Sequence, residues 1–260
     1  MTIPPNISML APGAPRVSHG RRHLRKLSVA LLLVLAGCIA VYGYAGYYNG
    51  PIFRDMPGAL AGPAKPAIVM LSGDTGNRMG MTPKIAARLN HRGYAIVTVN
   101  SLTYFSPRRT AAEAATLIET AMTRAMKLGK TDHVVLIGQS FGADMLHAGL
   151  ARFTAAQRLP IRAVVLIVPG EDIVFRASPI ELAGFEIPDQ LAYPTASQLT
   201  WTPVTCIRGT TEPKSLCPLL DMPNVDRIAL PGGHKLNSDD RALEAAIVPA
   251  IQRAGPAGSE

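Results

Sequence analysis

The chain has 260 residues, of which 48% are hydrophobic and 17% charged, and this composition excludes an intrinsically disordered protein. The formal net charge is +8, but residues 1–37 alone contain five basic residues and no acidic residue. The rest of the chain has no basic patch interleaved with aromatic residues, so the charge does not predict binding of nucleic acid.

The first 48 residues have the pattern of an N-terminal targeting segment. A basic stretch at 21–26 precedes an uncharged run from Leu27 to Tyr48. The tetrapeptide LAGC at 35–38 matches a bacterial lipobox, which predicts a lipoprotein signal peptide and lipid attached to Cys38. The run is also long enough to be an uncleaved membrane anchor. In both alternatives the basic residues stay in the cytoplasm, so we expect an envelope protein, membrane-anchored and facing the periplasm.

Residues 49–66 are rich in glycine and proline, which predicts a linker to a domain at 67–254 with a short tail at 255–260. In the domain, apolar runs alternate with helix-like segments. The runs are AIVMLSGD, YAIVTVNS, HVVLIGQS, RAVVLIVPG, PVTCIRG and VDRIALPGG. Helices are expected at 82–93, 110–129 and 141–154 and from about 239, with an irregular stretch at 171–202. Near-continuous Val/Ile/Leu strands predict an α/β domain whose mostly parallel sheet has helices on both faces.

The motif GQSFG at 138–142 directly follows the apolar strand HVVLI and precedes a helix. Gly-x-Ser-x-Gly is the pattern of a nucleophile elbow, because the turn is tight and lifts the serine hydroxyl above the sheet. Active sites of such sheets form at the carboxyl ends of strands. The sequence therefore predicts Ser140 as a nucleophile, with the backbone N–H of Phe141 as an oxyanion donor.

The catalytic partners of such a serine follow it in the order acid, then histidine. His234, in a loop after RIALPGG, is the predicted base. Glu212, shortly after the strand PVTCIRG, is the predicted acid, and Asp172, at the end of RAVVLIVPGED, is the alternative. A second oxyanion donor is expected in the loop LSGDTGN, from the amide of Asp74 or Thr75.

Six segments together resemble a known bacterial virulence family, the one that includes VirJ and the carboxyl half of AcvB. They are LSGDTGN, GYAIVTVNSLTYF, RRT, LIGQSFGAD, CIRGTTEPKSLCP and LPGGH, and their order and spacing match over about residues 67–252. The resemblance implies an α/β-hydrolase-like periplasmic protein. Members with assigned activity are similar to aminoacyl-phosphatidylglycerol hydrolases, which remove lysine or alanine esterified to the lipid headgroup. By position, the resemblance implies Ser140 as nucleophile, His234 as base, and Cys206 and Cys217 as the family's cysteine pair.

These observations lead to the hypothesis of a membrane-tethered periplasmic serine esterase that needs no metal or organic cofactor. Its expected substrate is a membrane lipid, lysyl- or alanyl-phosphatidylglycerol. Since an aminoacyl ester carries an ammonium group beside its carbonyl, we expect an acidic residue at the pocket mouth, either Asp74 or Asp144. In the oxidising periplasm, Cys206 and Cys217 are expected to form a disulfide across the loop that contains Glu212.

A second hypothesis belongs to another functional class. The same fold could serve as a non-catalytic binding or assembly module with a secretion-system or other periplasmic protein as partner, because a fold does not define an activity.

Overall fold

The computed structural model describes residues 19–59, 65–178 and 187–253. The tail expected at 255–260 and the part of the targeting segment before residue 19 lie outside these ranges. The chain divides into two compact units, Met1–Val41 and Tyr42–Glu260.

The described residues form strands and helices in alternation. The strands are β1 (Phe53–Met56), β2 (Ala67–Leu71), β3 (Ile96–Val99), β4 (Val134–Gln139), β5 (Ile161–Ile167), β6 (Asp172–Ile173), β7 (Gln190–Leu191), β8 (Val204–Gly209) and β9 (Val225–Leu230). The helices are α1 (His19–Ala45), α2 (Thr82–His91), α3 (Ser101–Tyr104), α4 (Ala111–Gly129), α5 (Phe141–Leu150), α6 (Ala155–Arg158), α7 (Tyr193–Ala196) and α8 (Asp240–Arg253).

Helix α1 contains the apolar run of the N-terminal segment. Its most apolar 18 residues have a mean hydropathy of 2.2, and the stretch His23–Ala45 is long enough to cross a membrane. The expected signal or anchor segment is therefore present as an apolar helix. A signal peptide cleaved before Cys38 and an uncleaved anchor would both contain this apolar helix. Both alternatives therefore remain predictions.

Seven strands form one sheet in the order β1-β3-β2-β4-β5-β8-β9. β1 is antiparallel to β3, and all the other neighbours are parallel. β6 and β7 form a separate antiparallel pair. The predicted mostly parallel sheet is confirmed, and the carboxyl ends of its six parallel strands meet at one edge, where such sheets place their sites.

The core lies on both faces of this sheet, because successive residues of a strand point to opposite faces. Ile68 and Met70 of β2 pack in one hydrophobic cluster with α2 and α8. Val69 and Leu71 pack in the other cluster with α4 and α5. The predicted helices on both faces are therefore confirmed, and strands buried on both sides explain why β2 has no polar residue.

The segment 49–66, expected to be a linker, contains the edge strand β1. Phe53 pairs with Val99 and Met56 with Ile96 of β3, and the two middle residues of β1, Arg54 and Asp55, are exposed. A four-residue edge strand with two charged residues between flanking prolines has no long apolar run. Its pairing therefore depends on the neighbouring strand, which the local sequence does not reveal.

Two further segments differ from the sequence-based expectation. The helix expected at 141–154 ends at Leu150, and a separate short helix, α6, begins after Thr154, whose side chain caps it. The stretch expected to be irregular at 171–202 contains β6, β7 and α7 in its described part. These elements are two to four residues long, which is too short for hydrophobic periodicity to indicate them.

Candidate active site

Ser140 lies in a sharp turn between β4 and α5. Its backbone angles are φ 50° and ψ −126°, which a residue with a side chain rarely adopts. The turn is held by two backbone hydrogen bonds. The Ser140 N–H donates to the Ile167 carbonyl at 2.7 Å, and the Ala143 N–H donates to the Ser140 carbonyl at 2.7 Å.

Both glycines of the motif are required by close contacts in this turn. A Cβ atom on Gly138 would lie 2.5 Å from Cα of Ala143, and one on Gly142 would lie 2.4 Å from the Ser72 carbonyl oxygen. Real Cβ atoms do not come so close to backbone, so larger residues would displace α5 or β2. The turn thus has the backbone geometry of a nucleophile elbow.

The side chains of Ser140, His234 and Glu212 form a hydrogen-bonded series. Ser140 Oγ lies 2.7 Å from His234 Nε2, and His234 Nδ1 lies 2.5 Å from Glu212 Oε1. Since a carboxylate only accepts, Nδ1 donates to Glu212 and Nε2 is left to accept from the serine hydroxyl. The imidazole side chain is 53% exposed, whereas the Glu212 side chain is only 3% exposed.

The loops after β8 and β9 position this histidine and this acid. Glu212 Oε2 accepts a hydrogen bond of 3.2 Å from the Gly209 N–H at the end of β8. A Cβ atom on Gly209 would lie 2.4 Å from the Gly233 carbonyl oxygen, so glycine lets the loop before His234 pack on this strand end. The Thr211 N–H donates to the Gly232 carbonyl at 3.0 Å and joins the two loops directly.

The alternative acid, Asp172, has a different position. It begins β6 and pairs with Leu191 of β7, and in the described part of the chain the carboxylate that contacts His234 is Glu212. His147, which lies on the helix after the elbow, is completely buried, and burial lowers its pKa to about 3. Its Nδ1 lies 2.9 Å from Thr195 Oγ1, so this histidine links α5 to α7 and does not reach Ser140.

The expected oxyanion donors lie beside the serine. Phe141 is the first residue of α5, so its N–H has no intrahelical acceptor four residues earlier. In the loop after β2, a Cβ atom on Gly73 would lie 3.6 Å from Cβ of Ser140, which places this loop against the elbow. Asp74 and Thr75 follow in a turn closed by a 3.1 Å hydrogen bond from the Gly76 N–H to the Gly73 carbonyl.

Asp74 is a half-buried acid at this position. Burial raises the pKa of its carboxyl group above the usual range. His234, the N–H groups of Asp74 and Thr75, and Lys235 oppose that shift. The carboxylate of Asp74 therefore lies within electrostatic range of His234 and of the amides of Asp74 and Thr75, one of which is the expected second oxyanion donor.

Asp144, the other candidate for ammonium recognition, is bonded to the protein backbone. Its Oδ1 accepts a 3.0 Å hydrogen bond from the Gly170 N–H and lies 3.9 Å from Nε2 of His147. Its side chain is only 13% exposed. These contacts tie α5 to the segment after β5 and give the carboxylate of Asp144 partners within the protein.

The predicted cysteine pair is confirmed as a disulfide. Cys206 on β8 is bonded to Cys217, with a Cα–Cα distance of 5.5 Å. Both cysteines are fully buried, and the loop that they close contains Glu212. The Leu216 N–H also donates to the Pro169 carbonyl at 3.1 Å, so the same loop is fixed to the segment after β5.

One neighbour of the site was not among the residues predicted from the sequence. Lys235 directly follows His234 and interacts with Asp74, and this adjacency in the sequence was the available signal. Arg78, in the loop Ser72–Gly80 that also carries Asp74, contacts α1 instead, since its Nη1 donates to the Tyr44 carbonyl at 3.0 Å. Among the described residues, no group of three or more His, Cys, Asp or Glu side chains could hold a metal ion.

The family described as "Bacterial virulence protein (VirJ)" matches residues 66–255 of the chain. This match confirms the resemblance stated from the sequence and extends over the whole seven-stranded sheet except β1. Curated protein sequences give no match.

Several solved structures have a similar fold. Est1E from Butyrivibrio proteoclasticus has a TM-score of 0.55 at 14% identity, over 77% of this chain and 94% of that one. The α/β hydrolase GrgF from Penicillium sp. sh18 has a TM-score of 0.56 at 13% identity, over 77% and 93%. MenH from S. aureus has a TM-score of 0.55 at 11% identity, over 79% and 99%. At such identities the likeness establishes the fold, and the predicted α/β-hydrolase fold is confirmed.

Proposed function

The chain belongs to the bacterial virulence protein (VirJ) family, and from this membership we propose that it is a membrane-tethered serine ester hydrolase of the periplasm. Its proposed substrate is aminoacyl-phosphatidylglycerol, with lysine or alanine as the amino acid removed. The observation that carries the proposal is the hydrogen-bonded series of Ser140, His234 and Glu212 at the end of the sheet. A nucleophile, a base and an orienting acid in this order are what ester hydrolysis through an acyl-enzyme requires.

In the first half of the proposed reaction, Ser140 Oγ attacks the carbonyl carbon of the aminoacyl ester while His234 Nε2 takes the hydroxyl proton. The carbonyl electron pair moves onto oxygen, where the N–H groups of Phe141 and of Asp74 or Thr75 stabilise the charge. The bond to the glycerol oxygen then breaks, and the imidazolium returns its proton to that oxygen. Phosphatidylglycerol leaves, and the amino acid remains esterified to the serine.

In the second half, His234 takes a proton from water, and the resulting hydroxide attacks the acyl-serine carbonyl. Collapse of this intermediate breaks the bond to Ser140 Oγ, which regains its proton from the imidazolium, and the free amino acid leaves. In both halves Glu212 holds the imidazole in the productive tautomer and stabilises its positive charge.

A tether to the membrane suits a lipid substrate, because it raises the effective concentration of headgroups at the site. In this proposal the tether is either lipid on Cys38 after cleavage or the uncleaved helix α1. Both keep every residue from Cys38 onward, including the segment 42–50 that contacts the globular domain through Tyr44 and Ala45.

The proposal is tested with the detergent-solubilised full-length chain and three lipids, lysyl-, alanyl- and unmodified phosphatidylglycerol. Release of free lysine or alanine, with no release of fatty acid from any of them, is the expected result. Hydrolysis of p-nitrophenyl acetate without release of either amino acid would keep the esterase and reject this substrate. Failure to react with a fluorophosphonate probe would favour the binding or assembly module.

We assign recognition of the substrate ammonium group to Asp74. It is a half-buried acid in the loop that supplies the expected second oxyanion donor, and this loop lies against Ser140 at Gly73. Its carboxyl group also lies within electrostatic range of His234. The ammonium group of an aminoacyl ester lies beside the scissile carbonyl, so an acid in this loop would pair with it.

Asp74→Asn is therefore expected to lower kcat/KM for alanyl-phosphatidylglycerol about 10- to 100-fold more than for a neutral ester, the range for one charge-assisted hydrogen bond. The measurement compares both substrates for Asp74→Asn, Asp144→Asn and Asp132→Asn. Asp132 is a suitable control because its side chain is 88% exposed. The residue also lies before the first residue of β4, at the opposite end of that strand from Ser140. Equal losses on both substrates in Asp74→Asn would remove the recognition role.

The disulfide is expected to act mainly through the position of Glu212. Closing so short a loop stabilises the domain by about 3 kcal/mol on the chain-entropy model. A displacement of the acid by about 1 Å can cost on the order of 100-fold in rate. We therefore expect Cys206→Ser to lower kcat more than it raises KM, together with a lower melting temperature.

The pairing itself is tested by thiol titration of the unfolded, unreduced protein in which Cys38 is replaced by serine. No reactive thiol is expected before reduction and two after it. Two reactive thiols before reduction would contradict the disulfide. A rise in KM as large as the fall in kcat, or larger, in Cys206→Ser would contradict its positioning role.

A further inference from the structure

A cavity with two cationic side chains in its lining lies at the point where the chain leaves the apolar helix α1. Its volume is about 290 Å³, and its walls include Gly46, Gly50, Arg54, Asn77, Arg78 and Asn100. Two of these side chains are cationic and two are amides, and no described residue that lines the cavity is acidic. Such a lining favours an anion.

The cavity is built by close backbone packing. Thr103 Oγ1 donates to the Gly46 carbonyl at 2.6 Å, and Asn100 Nδ2 donates to the Ala45 carbonyl at 3.3 Å. Gly46 has φ 98°, and a Cβ atom there would lie 2.8 Å from Asn100 Nδ2. A Cβ atom on Gly76 would lie 2.7 Å from the Ala45 carbonyl oxygen. These contacts fix the segment after α1 against the domain before any ligand binds.

The position in the sequence places this cavity at the depth of lipid headgroups if α1 lies in a membrane. Gly46 directly follows Ala45, the last residue of the apolar stretch, and Gly50 is only four residues further. Four tyrosines lie near this point. Tyr42 and Tyr47 pack against the core of the domain, whereas Tyr44 and Tyr48 are 60% and 55% exposed. Tyrosines at the end of an apolar helix are typical of the membrane–water interface.

The two arginines of the cavity differ in their contacts. Arg78 is already held, since its Nη1 donates to the Tyr44 carbonyl at 3.0 Å and its guanidinium lies 5.5 Å from the centre of the Tyr44 ring. Arg54 is exposed, and no described carboxylate lies within ion-pair distance of it. Its neighbour Asp55 is paired with Arg124 at 2.6 Å and so does not neutralise Arg54.

We propose that this cavity binds the phosphate of an anionic phospholipid headgroup and thereby holds the domain at the bilayer surface. Arginine presents several N–H donors in a planar fork that matches phosphate oxygens, and the cavity offers two such groups. The site is distinct from Ser140 and so adds to the proposed reaction. It rests on the membrane placement proposed above and is independent of ester hydrolysis.

One loop of the chain contributes residues to both the cavity and the active site. Asn77 and Arg78 belong to the loop Ser72–Gly80, which carries Asp74 and Thr75. A bound headgroup would hold the far end of this loop, while the elbow holds its near end through Gly73. Lipid binding at the cavity is therefore placed to steady the expected oxyanion donors.

The experiment measures lipid binding to the full-length chain in detergent by native mass spectrometry. Dioleoyl-phosphatidylglycerol and dioleoyl-phosphatidylcholine are titrated separately, and inorganic phosphate is added as a competitor. The variants are Arg54→Gln, Arg54→Lys and Arg227→Gln. Arg227→Gln is the matched control, because it removes one positive charge from β9 at the opposite edge of the sheet. Thermal melting of each variant reports whether it folds.

Arg54→Gln is expected to weaken binding of phosphatidylglycerol about fivefold, the typical contribution of one basic residue at an anionic surface. Arg54→Lys should retain most of the affinity, and Arg227→Gln and all values for phosphatidylcholine should stay unchanged. Unchanged affinity in Arg54→Gln, or an equal loss in Arg227→Gln, would overturn the proposal. Competition by inorganic phosphate at the concentration of the lipid would identify a free phosphate site and would also overturn it.

Discussion

Replacement of Ser140 by alanine is expected to lower the turnover number for ester hydrolysis by on the order of 10⁶-fold, the cost of losing the nucleophile of such a series. Without Oγ no acyl-enzyme can form, and His234 and Glu212 have no hydroxyl to activate. The residual rate would come from the oxyanion donors and substrate binding alone. Release of p-nitrophenol from p-nitrophenyl acetate measures the change.

The fold should survive this substitution. Alanine keeps the Cβ atom that the elbow already accommodates at φ 50°, and the two backbone hydrogen bonds of the turn do not involve the side chain. Within the described ranges, the one hydrogen bond of Ser140 Oγ is that at 2.7 Å to His234, whose imidazole remains bonded to Glu212 after the substitution. Circular dichroism and the melting temperature should therefore match those of the wild-type chain.

Ser106→Ala is the matched control, since its Oγ donates only to the nearby Thr103 carbonyl at 3.1 Å. It should keep wild-type turnover and wild-type labelling by a fluorophosphonate probe, whereas Ser140→Ala should lose both. More than a trace of activity in a folded Ser140→Ala protein would place the nucleophile elsewhere.

The elbow could be predicted from the sequence because all its determinants are local. Gly138 and Gly142 flank the serine, the strand before it is continuously apolar, and the close contacts at both glycines leave no room for other residues. The cap of α4 is local in the same sense. Thr110 begins the predicted helix with Glu113 three residues later, the spacing of a capping box, and its side chain accepts from the Glu113 N–H at 3.2 Å.

The choice between Glu212 and Asp172 could not be made in this way. Both acids follow strands that end at the same edge of the sheet, and only the packing of the loop before His234 on Gly209 decides which one lies near the imidazole. The edge strand β1 and the docking of residues 42–50 also depend on distant partners. Arg78 and Asn100, which bind that segment, are separated from it by more than thirty residues of the chain.

Glu212→Gln is expected to lower kcat on the order of 10⁴-fold with little change in KM. The Gly209 N–H needs an acceptor, so the amide oxygen of the new glutamine would stay on it, as Oε2 does at 3.2 Å. The amide NH₂ would then point at His234 Nδ1, where a carboxylate oxygen now accepts. Nδ1 would have to accept, so the proton would move to Nε2, and the imidazole could no longer take the proton of Ser140.

Asp172→Asn is the matched substitution, because it makes the same change from acid to amide at the other candidate, on β6. It should change kcat by less than a few fold, since Asp172 pairs with β7 and Glu212 contacts the imidazole. Comparing kcat and KM for both variants on one soluble ester, with melting temperatures to confirm folding, separates the two acids. A large loss in Asp172→Asn together with near wild-type kcat in Glu212→Gln would move the orienting acid to β6. That result would leave the buried carboxylate of Glu212 as a structural partner of Gly209 alone.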